Sequence, residues 1–283
     1  MIEVENLAFA YPRAAAPVLS GLSFSVAEGE VFGLLGPSGA GKSTTQRILM
    51  GLLRGHRGKA EVFGAPVGAL GRGFYERIGV SFELPTLYLR LTARENLQLF
   101  ASLYDRPTRD PMEVLGMVDL QDDADKRVEA FSKGMKMRLN LCRALLHDPE
   151  LLFLDEPTTG QDPTRARTTR ELIKRLKSEG RTIFMTTHNM AEADEICDRV
   201  GFLARGHIPV TGAPSALKRQ YGKRVLEVTV GREGALRTHS FPMEAIGGNA
   251  EFLGLLNIET VIAMHTLEAT LDDVFIKATA ADA

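Results

Sequence analysis

Apolar residues in the first 35 positions come at every second place or in short unbroken runs, the patterns of strands buried on one face or on both. "IEVENLAF" at 2–9 and "LSFSV" at 22–26, where Leu22, Phe24 and Val26 alternate with polar residues, predict half-buried strands; "VFGLL" at 31–35 predicts a buried one. Between 86 and 147 the pattern becomes helical. Thr92 and Glu95, three apart, form a capping box opening 93–104, and Asp110 before Pro111 caps 112–118. From 151 strands and helices alternate: a strand over 151–156, a helix over about 163–179 closed by Gly180, a strand over 181–187, a helix over 190–200 and a hairpin around 204–208. This order predicts an α/β fold with a mainly parallel sheet, an N-terminal antiparallel β subdomain and an inserted helical subdomain over 86–147. After Gly222 the apolar segments 224–231, 251–257 and 260–266 predict a small strand-containing extension, giving domains 1–222 and 223–283.

With 283 residues, 44% hydrophobic and 25% charged, the composition is that of a globular protein with a substantial core. A net charge of −2 supplies no overall basic field, so nucleic acid is not an expected partner. Arg165, Arg167, Arg170, Lys174, Arg175 and Lys177 lie along one predicted helix without interleaved aromatics and read as a solvated face. Cys142 and Cys197 sit in apolar helical contexts without metal-ligand spacing, the pattern of buried thiols in a reducing compartment. No apolar run approaches the roughly 18 residues of a membrane span, and the N-terminus lacks a signal-peptide layout. A cytoplasmic location is expected, with any membrane role supplied by a partner.

The chemistry begins after the third strand. "GPSGAGKS" at 36–43 fits G-x-x-x-x-G-K-[ST], and a helix-compatible segment carrying Ile48, Leu49, Leu52 and Leu53 follows it. Strand, loop and helix in that order build a phosphate cradle. Gly36, Gly39 and Gly41, with Pro37, Ser38 and Ala40 between them, let backbone N–H groups curl around a polyphosphate at a helix N-terminus; Lys42 reaches the β and γ phosphates and Ser43 ligates Mg²⁺. A second apolar strand ends in Asp155 and Glu156, at the carboxyl edge where α/β sheets bind ligands. Asp155 can hold the metal, directly or through water, while Glu156 can polarise an attacking water.

Between these motifs lies "FSKGMKMRLNLCRALL" at 131–146, where Ser132 is a good helix cap and Gly134 permits close backbone approach. With this segment in place, residues 1–215 resemble the ATP-binding subunits of ABC transporters. Their L-S-G-G-Q signature is matched at Ser132 and Gly134 and departed from at Phe131, Lys133 and Met135. The resemblance implies ATP and Mg²⁺ as cofactors, with Thr44 completing the phosphate loop and Tyr11 stacking on adenine. It implies that Asp162 of "TTGQDP" faces a dimer partner and that His188 contacts the γ-phosphate as a catalytic residue beside Lys42 and Glu156. The family's metal-sensing glutamine aligns with Glu83, which keeps the length and an oxygen but adds a negative charge. The partners implied are an integral-membrane permease at the inner face of the cell membrane and, on ATP binding, a second ATPase chain in a head-to-tail homodimer or related pair. "SKGMKMRL" and the tail "LEATLDDVFIKAT" look like drug or antibiotic exporters of the ABC-2 group, implying export of a drug-like or hydrophobic small molecule. The alternative is an ABC-type ATPase acting on ribosomes or DNA. Such proteins usually look like two fused cassettes or carry long heptad insertions, whereas this chain has one phosphate loop and no sustained heptads.

Overall fold

A computed structural model describes residues 1–222, 225–232, 235–267 and 269–280, with residue 232 described in its backbone alone. Arg224, which opens the segment 224–231, and Glu268 in the tail phrase lie outside the described residues. The chain divides into two units, Met1–Ala213 and Pro214–Ala283. That division precedes residue 223 because the helix Pro214–Tyr221 packs with the C-terminal helix Leu271–Ala280.

The first unit begins with β1 (Ile2–Phe9), β2 (Leu19–Val26), β3 (Val31–Leu35), α1 (Lys42–Leu49), β4 (Arg57–Val62) and β5 (Ala65–Pro66). β2, β1, β4 and β5 form an antiparallel sheet in that order, with Val4 opposite both Phe24 and Ala60. The alternation of β1 buries Ile2, Val4, Leu7 and Phe9 on one face. There follow α2 (Arg72–Tyr75), β6 (Ile78–Ser81), α3 (Ala93–Ala101), α4 (Pro111–Gly116), α5 (Lys133–Leu145), β7 (Leu151–Asp155), α6 (Pro163–Ser178), β8 (Thr182–Thr187), α7 (Met190–Ile196), β9 (Arg199–Phe202) and β10 (Thr211–Gly212). A second sheet runs β10-β9-β3-β8-β7-β6, parallel except where β10 meets β9. β3, β7 and β8 are buried at every position, as strands covered on both faces must be. Phe24 of the first sheet stacks on Phe32 at 5.3 Å and on Phe184 at 5.9 Å in the second, joining the two layers in one core.

The caps form as the sequence predicts. Thr92 and Glu95 make the reciprocal capping box of α3, Asp110 accepts from Met112 N at 2.6 Å, and Ser132 accepts from Met135 N at 3.2 Å at the start of α5. The hairpin around 204–208 is closed by bridging of Ala204 with His207. Besides shifts of one to three residues at β2, α4, β7 and β8, three ends differ from expectation. α3 ends at Ala101 rather than 104, and α1 ends at Leu49, leaving Leu52 half-exposed beyond it. The helix expected over 190–200 stops at Ile196, because the chain enters β9 and buries Val200 and Phe202 beside β3.

The second unit contains α8 (Pro214–Tyr221), β11 (Val225–Arg232), β12 (Ala235–Pro242), α9 (Ala250–Ile258), β13 (Val261–Leu267) and α10 (Leu271–Ala280). Its antiparallel sheet runs β12-β11-β13, and Val228, Val230 and Phe241 pack against Phe252, Leu255 and Leu256 of α9. Among the described residues no helix is long and apolar enough to cross a membrane.

Candidate functional site

Parallel register brings three strand ends to one edge. Leu35 of β3 stands opposite Thr187 of β8, and Thr186 stands opposite Asp155 of β7, so the loops that leave β3, β7 and β8 open side by side. The loop after β3 curls through glycines: Gly39 and Gly41 have φ of 80° and 110°, and a Cβ at Gly41 would stand 2.7 Å from Leu19 Cδ2. α1 starts from this loop and turns its N-terminus toward the same edge. Lys42, buried, donates through Nζ to the carbonyls of Gly36 at 2.8 Å and Pro37 at 3.2 Å.

The acidic pair faces this loop. Ser43 Oγ donates to Asp155 Oδ2 at 3.1 Å, and Thr186 Oγ1 donates to Asp155 Oδ1. Glu156 takes a left-handed backbone with φ 50°, anchored by its N–H on Thr186 O at 2.9 Å. Its side chain is fixed from three directions: Lys42 Nζ lies 3.8 Å and His188 Nδ1 2.9 Å from Oε1, and Thr187 Oγ1 lies 3.1 Å from Oε2. Asp155 and Glu156 are 5% and 6% exposed, so both carboxyls are removed from bulk water and respond strongly to nearby charge.

A cleft of about 360 Å³ gathers Tyr11, Ser38, Gly39, Gly41, Lys42, Ser43, Thr44, Glu83, Asp155, Glu156 and His188. Tyr11 stands at its rim, its hydroxyl 3.1 Å from Thr44 Oγ1 and its ring edge-on to Phe9 at 5.0 Å. Gly36 and Pro37 do not line the cleft but hold Lys42 through their carbonyls, while Ala40 packs against the core. Glu83 is exposed on the segment after β6, and its carboxylate has no hydrogen bond or ion pair among the described residues. Ser132, Gly134 and Asp162 lie elsewhere. Ser132 and Asp162 are exposed caps of α5 and α6, and a Cβ at Gly134 would stand 3.1 Å from Gly160 O, two residues before Asp162.

Thr186, Thr187, Asn140 and Glu192 belong to this constellation although no motif singles them out. Thr186 and Thr187 end β8, and the polar tail "TT" on an otherwise apolar strand is the signal that could have found them. Asn140 is buried in α5 and donates to Ser81 Oγ at 3.0 Å and Phe82 O at 2.9 Å, fixing the chain just before Glu83. Glu192, in the first turn of α7, is buried behind Thr187.

The ABC transporter family profile matches residues 19–159. A fluoroquinolones export ATP-binding protein of Mycobacterium tuberculosis is 51% identical over 280 residues, which cover 99% of this chain and 93% of the relative. A Nod factor export ATP-binding protein I of Neorhizobium galegae is 40% identical, the match covering 93% of this chain and 80% of that one. Among solved structures, a dimeric post-hydrolysis state of an ATP-binding cassette bound to ADP and Pi superposes with a TM-score of 0.69 at 25% identity, covering 75% of this chain and 98% of its own.

Proposed function

The chain belongs to the ABC transporter family of ATP-binding proteins, and we propose that it hydrolyses ATP to drive export of a drug-like or hydrophobic small molecule through a separate integral-membrane permease. The observation that carries this reading is the convergence of Lys42, Ser43, Asp155, Glu156 and His188 on one cleft at the carboxyl edge of a parallel sheet. Lys42 and the glycine loop hold the β and γ phosphates, and Tyr11 at the rim receives the adenine. Glu156 takes a proton from the attacking water, and His188 steadies Glu156 while facing the γ-phosphate.

The donor set fits Mg²⁺. Ser43 hydroxyl and Asp155 carboxylate already face one another at 3.1 Å, hard oxygen ligands beside the phosphate cradle, and Glu83 adds a third oxygen on the open side. When bound there, the ion would offset phosphate charge and polarise the γ-phosphoryl group. Ser132 and Gly134 do not line the cleft of their own chain, which supports a head-to-tail dimer in which they meet the nucleotide of the partner chain. The ATPase would then sit peripherally on the inner face of the cell membrane, held by its permease.

Affinity purification from detergent-solubilised membranes tests the transport reading. A stoichiometric multi-span protein is the expected companion, while ribosomes or DNA in its place would overturn it.

A further inference from the structure

We propose that Glu192 is a neutral acid in the working enzyme and a positioning residue for Glu156: its carboxyl O–H donates to Thr187 Oγ1, and the Thr187 hydroxyl in turn donates to Glu156 Oε2. The proposal deepens the reading of Glu156 as the base and rests on it. Thr187 Oγ1 accepts from Asn189 N–H at 3.0 Å and stands 3.1 Å from Glu156 Oε2 and 3.2 Å from Glu192 Oε2. A hydroxyl has one proton to give and two lone pairs to fill. Were both carboxyls ionised, they would compete for that proton, Glu156 keeping only the longer contact from Thr159 Oγ1 at 3.5 Å on Oε2. With Glu192 protonated the count closes: Thr187 Oγ1 accepts from Asn189 N–H and from Glu192, and its own proton goes to Glu156.

The surroundings favour the neutral form. Glu192 is 3% exposed, and its Oε1 has no hydrogen-bond partner, a position costly for a charged oxygen and tolerable for a carbonyl one. Burial pushes the Glu192 carboxyl above the usual carboxylate range, and the neighbouring charge of Glu156 pushes the same way; the nearby hydroxyls of Thr158 and Thr187 and the charge of Arg170 oppose this. Arg170 of α6 is engaged by Glu195 at 2.6 Å, Lys42 and His188 face Glu156, and Cys197 lies buried past the end of α7. Neutrality at Glu192 leaves Glu156 as the single anion on Thr187, with Oε1 free to face Lys42 and His188.

Glu192→Gln keeps shape and a donor, so ATP turnover should stay within about twofold of wild type, whereas Glu192→Leu should lose about 10-fold or more with ATP affinity retained. Thr187→Ser should be active and Thr187→Val impaired, which tests the Thr187 link even if Glu192→Leu fails to fold. Equal losses in Glu192→Gln and Glu192→Leu would overturn the proposal, as would full activity in Thr187→Val. A thermal-unfolding series reads the charge without hydrolysis. A carboxyl whose folded pKa is raised gives stability that is whole below its ordinary 4.5 and lost as pH rises through the folded value. Gln carries no such loss, so the Tm of Glu192→Gln relative to wild type should climb with pH above 4.5, and a constant offset would refute a neutral Glu192. Normal turnover in Glu156→Gln would sink the base reading alone, since the Tm series still reports the state of Glu192.

Discussion

Glu156 is held in place by its own chain. Its left-handed backbone and its contacts to Thr187 and His188 hold the carboxylate at the mouth of the phosphate loop, which is the preorganisation a general base needs. Glu156→Gln removes the proposed base and keeps the shape, so ATP binding should persist while turnover falls by about 100-fold or more, measured by equilibrium binding and phosphate release. Near-normal steady-state hydrolysis would reassign the base. Glu83 poses the complementary case, a carboxylate in the same cleft with no protein partner among the described residues. Mg²⁺ beside it would offset its repulsion from the γ-phosphate. Glu83→Gln should therefore hydrolyse ATP with a weaker dependence on Mg²⁺ concentration, and Glu83→Ala should turn over more slowly. Superimposable Mg²⁺ titrations for wild type and both variants would take Glu83 out of the metal site. The residues bearing linear motifs, Lys42, Ser43, Asp155 and Glu156, were legible because their spacing along the chain is itself the geometry. Thr187 and Glu192 were not, because only the parallel register of β7 with β8 and the turn into α7 bring them behind Glu156.

α5 is the element that joins the two halves of the proposed machinery. Its N-terminus presents Ser132, and just over two turns on, about 12 Å along the axis, Asn140 grips Ser81 and Phe82 immediately before Glu83. Asn140→Leu would leave the half-buried Phe82 carbonyl and the buried Ser81 hydroxyl without that donor. The expected loss is about 1–3 kcal/mol of stability by denaturant unfolding, with a greater Glu83-dependent loss of Mg²⁺ response than of ATP affinity. An unchanged unfolding midpoint would show that water replaces the amide fully. Element legibility follows periodicity. The capped helices α3, α4 and α5 were readable because capping chemistry is local. In sequence the start of β9 continues the pattern of a helix, because a four-residue buried strand carries no period of its own, and pairing with β3 decides its state. β12, "ALRTHSFP", is mostly exposed and polar, so no hydrophobic alternation announced it; its partner β11 imposes the strand.

For the whole molecule, the proposed pairing with a second chain rests on one surface and not on net charge. The cations along α6 are each met by a carboxylate, Arg165 by Asp119, Arg167 by Glu171, Arg170 and Lys174 by Glu195, Arg175 by Glu179 and Lys177 by Asp198, so the helix projects little net positive field. The surface formed by Ser132, Gly134 and the approach to Asp162 instead presents a capped helix start and exposed backbone, features suited to an anion supplied from outside the chain. If two chains pair head to tail, each cleft is completed by the other chain's Ser132. Glu156→Gln, which should hold ATP without consuming it, is then expected to sediment as a monomer without nucleotide and as a dimer with it. Monomer under both conditions would count against the pairing. Mixing supplies the sharper test. If the proposed roles hold, Lys42→Ala disables the phosphate loop and Ser132→Arg blocks the surface proposed to face the partner, so each alone should be inactive. In a mixed dimer one cleft combines the intact loop of the Ser132→Arg chain with the intact Ser132 of the Lys42→Ala chain, and ATP hydrolysis should reappear at up to about half the wild-type rate per dimer if that cleft works alone. Recovered turnover that rises with the mixing ratio and peaks near equal amounts would place Lys42 and Ser132 on opposite chains of one site.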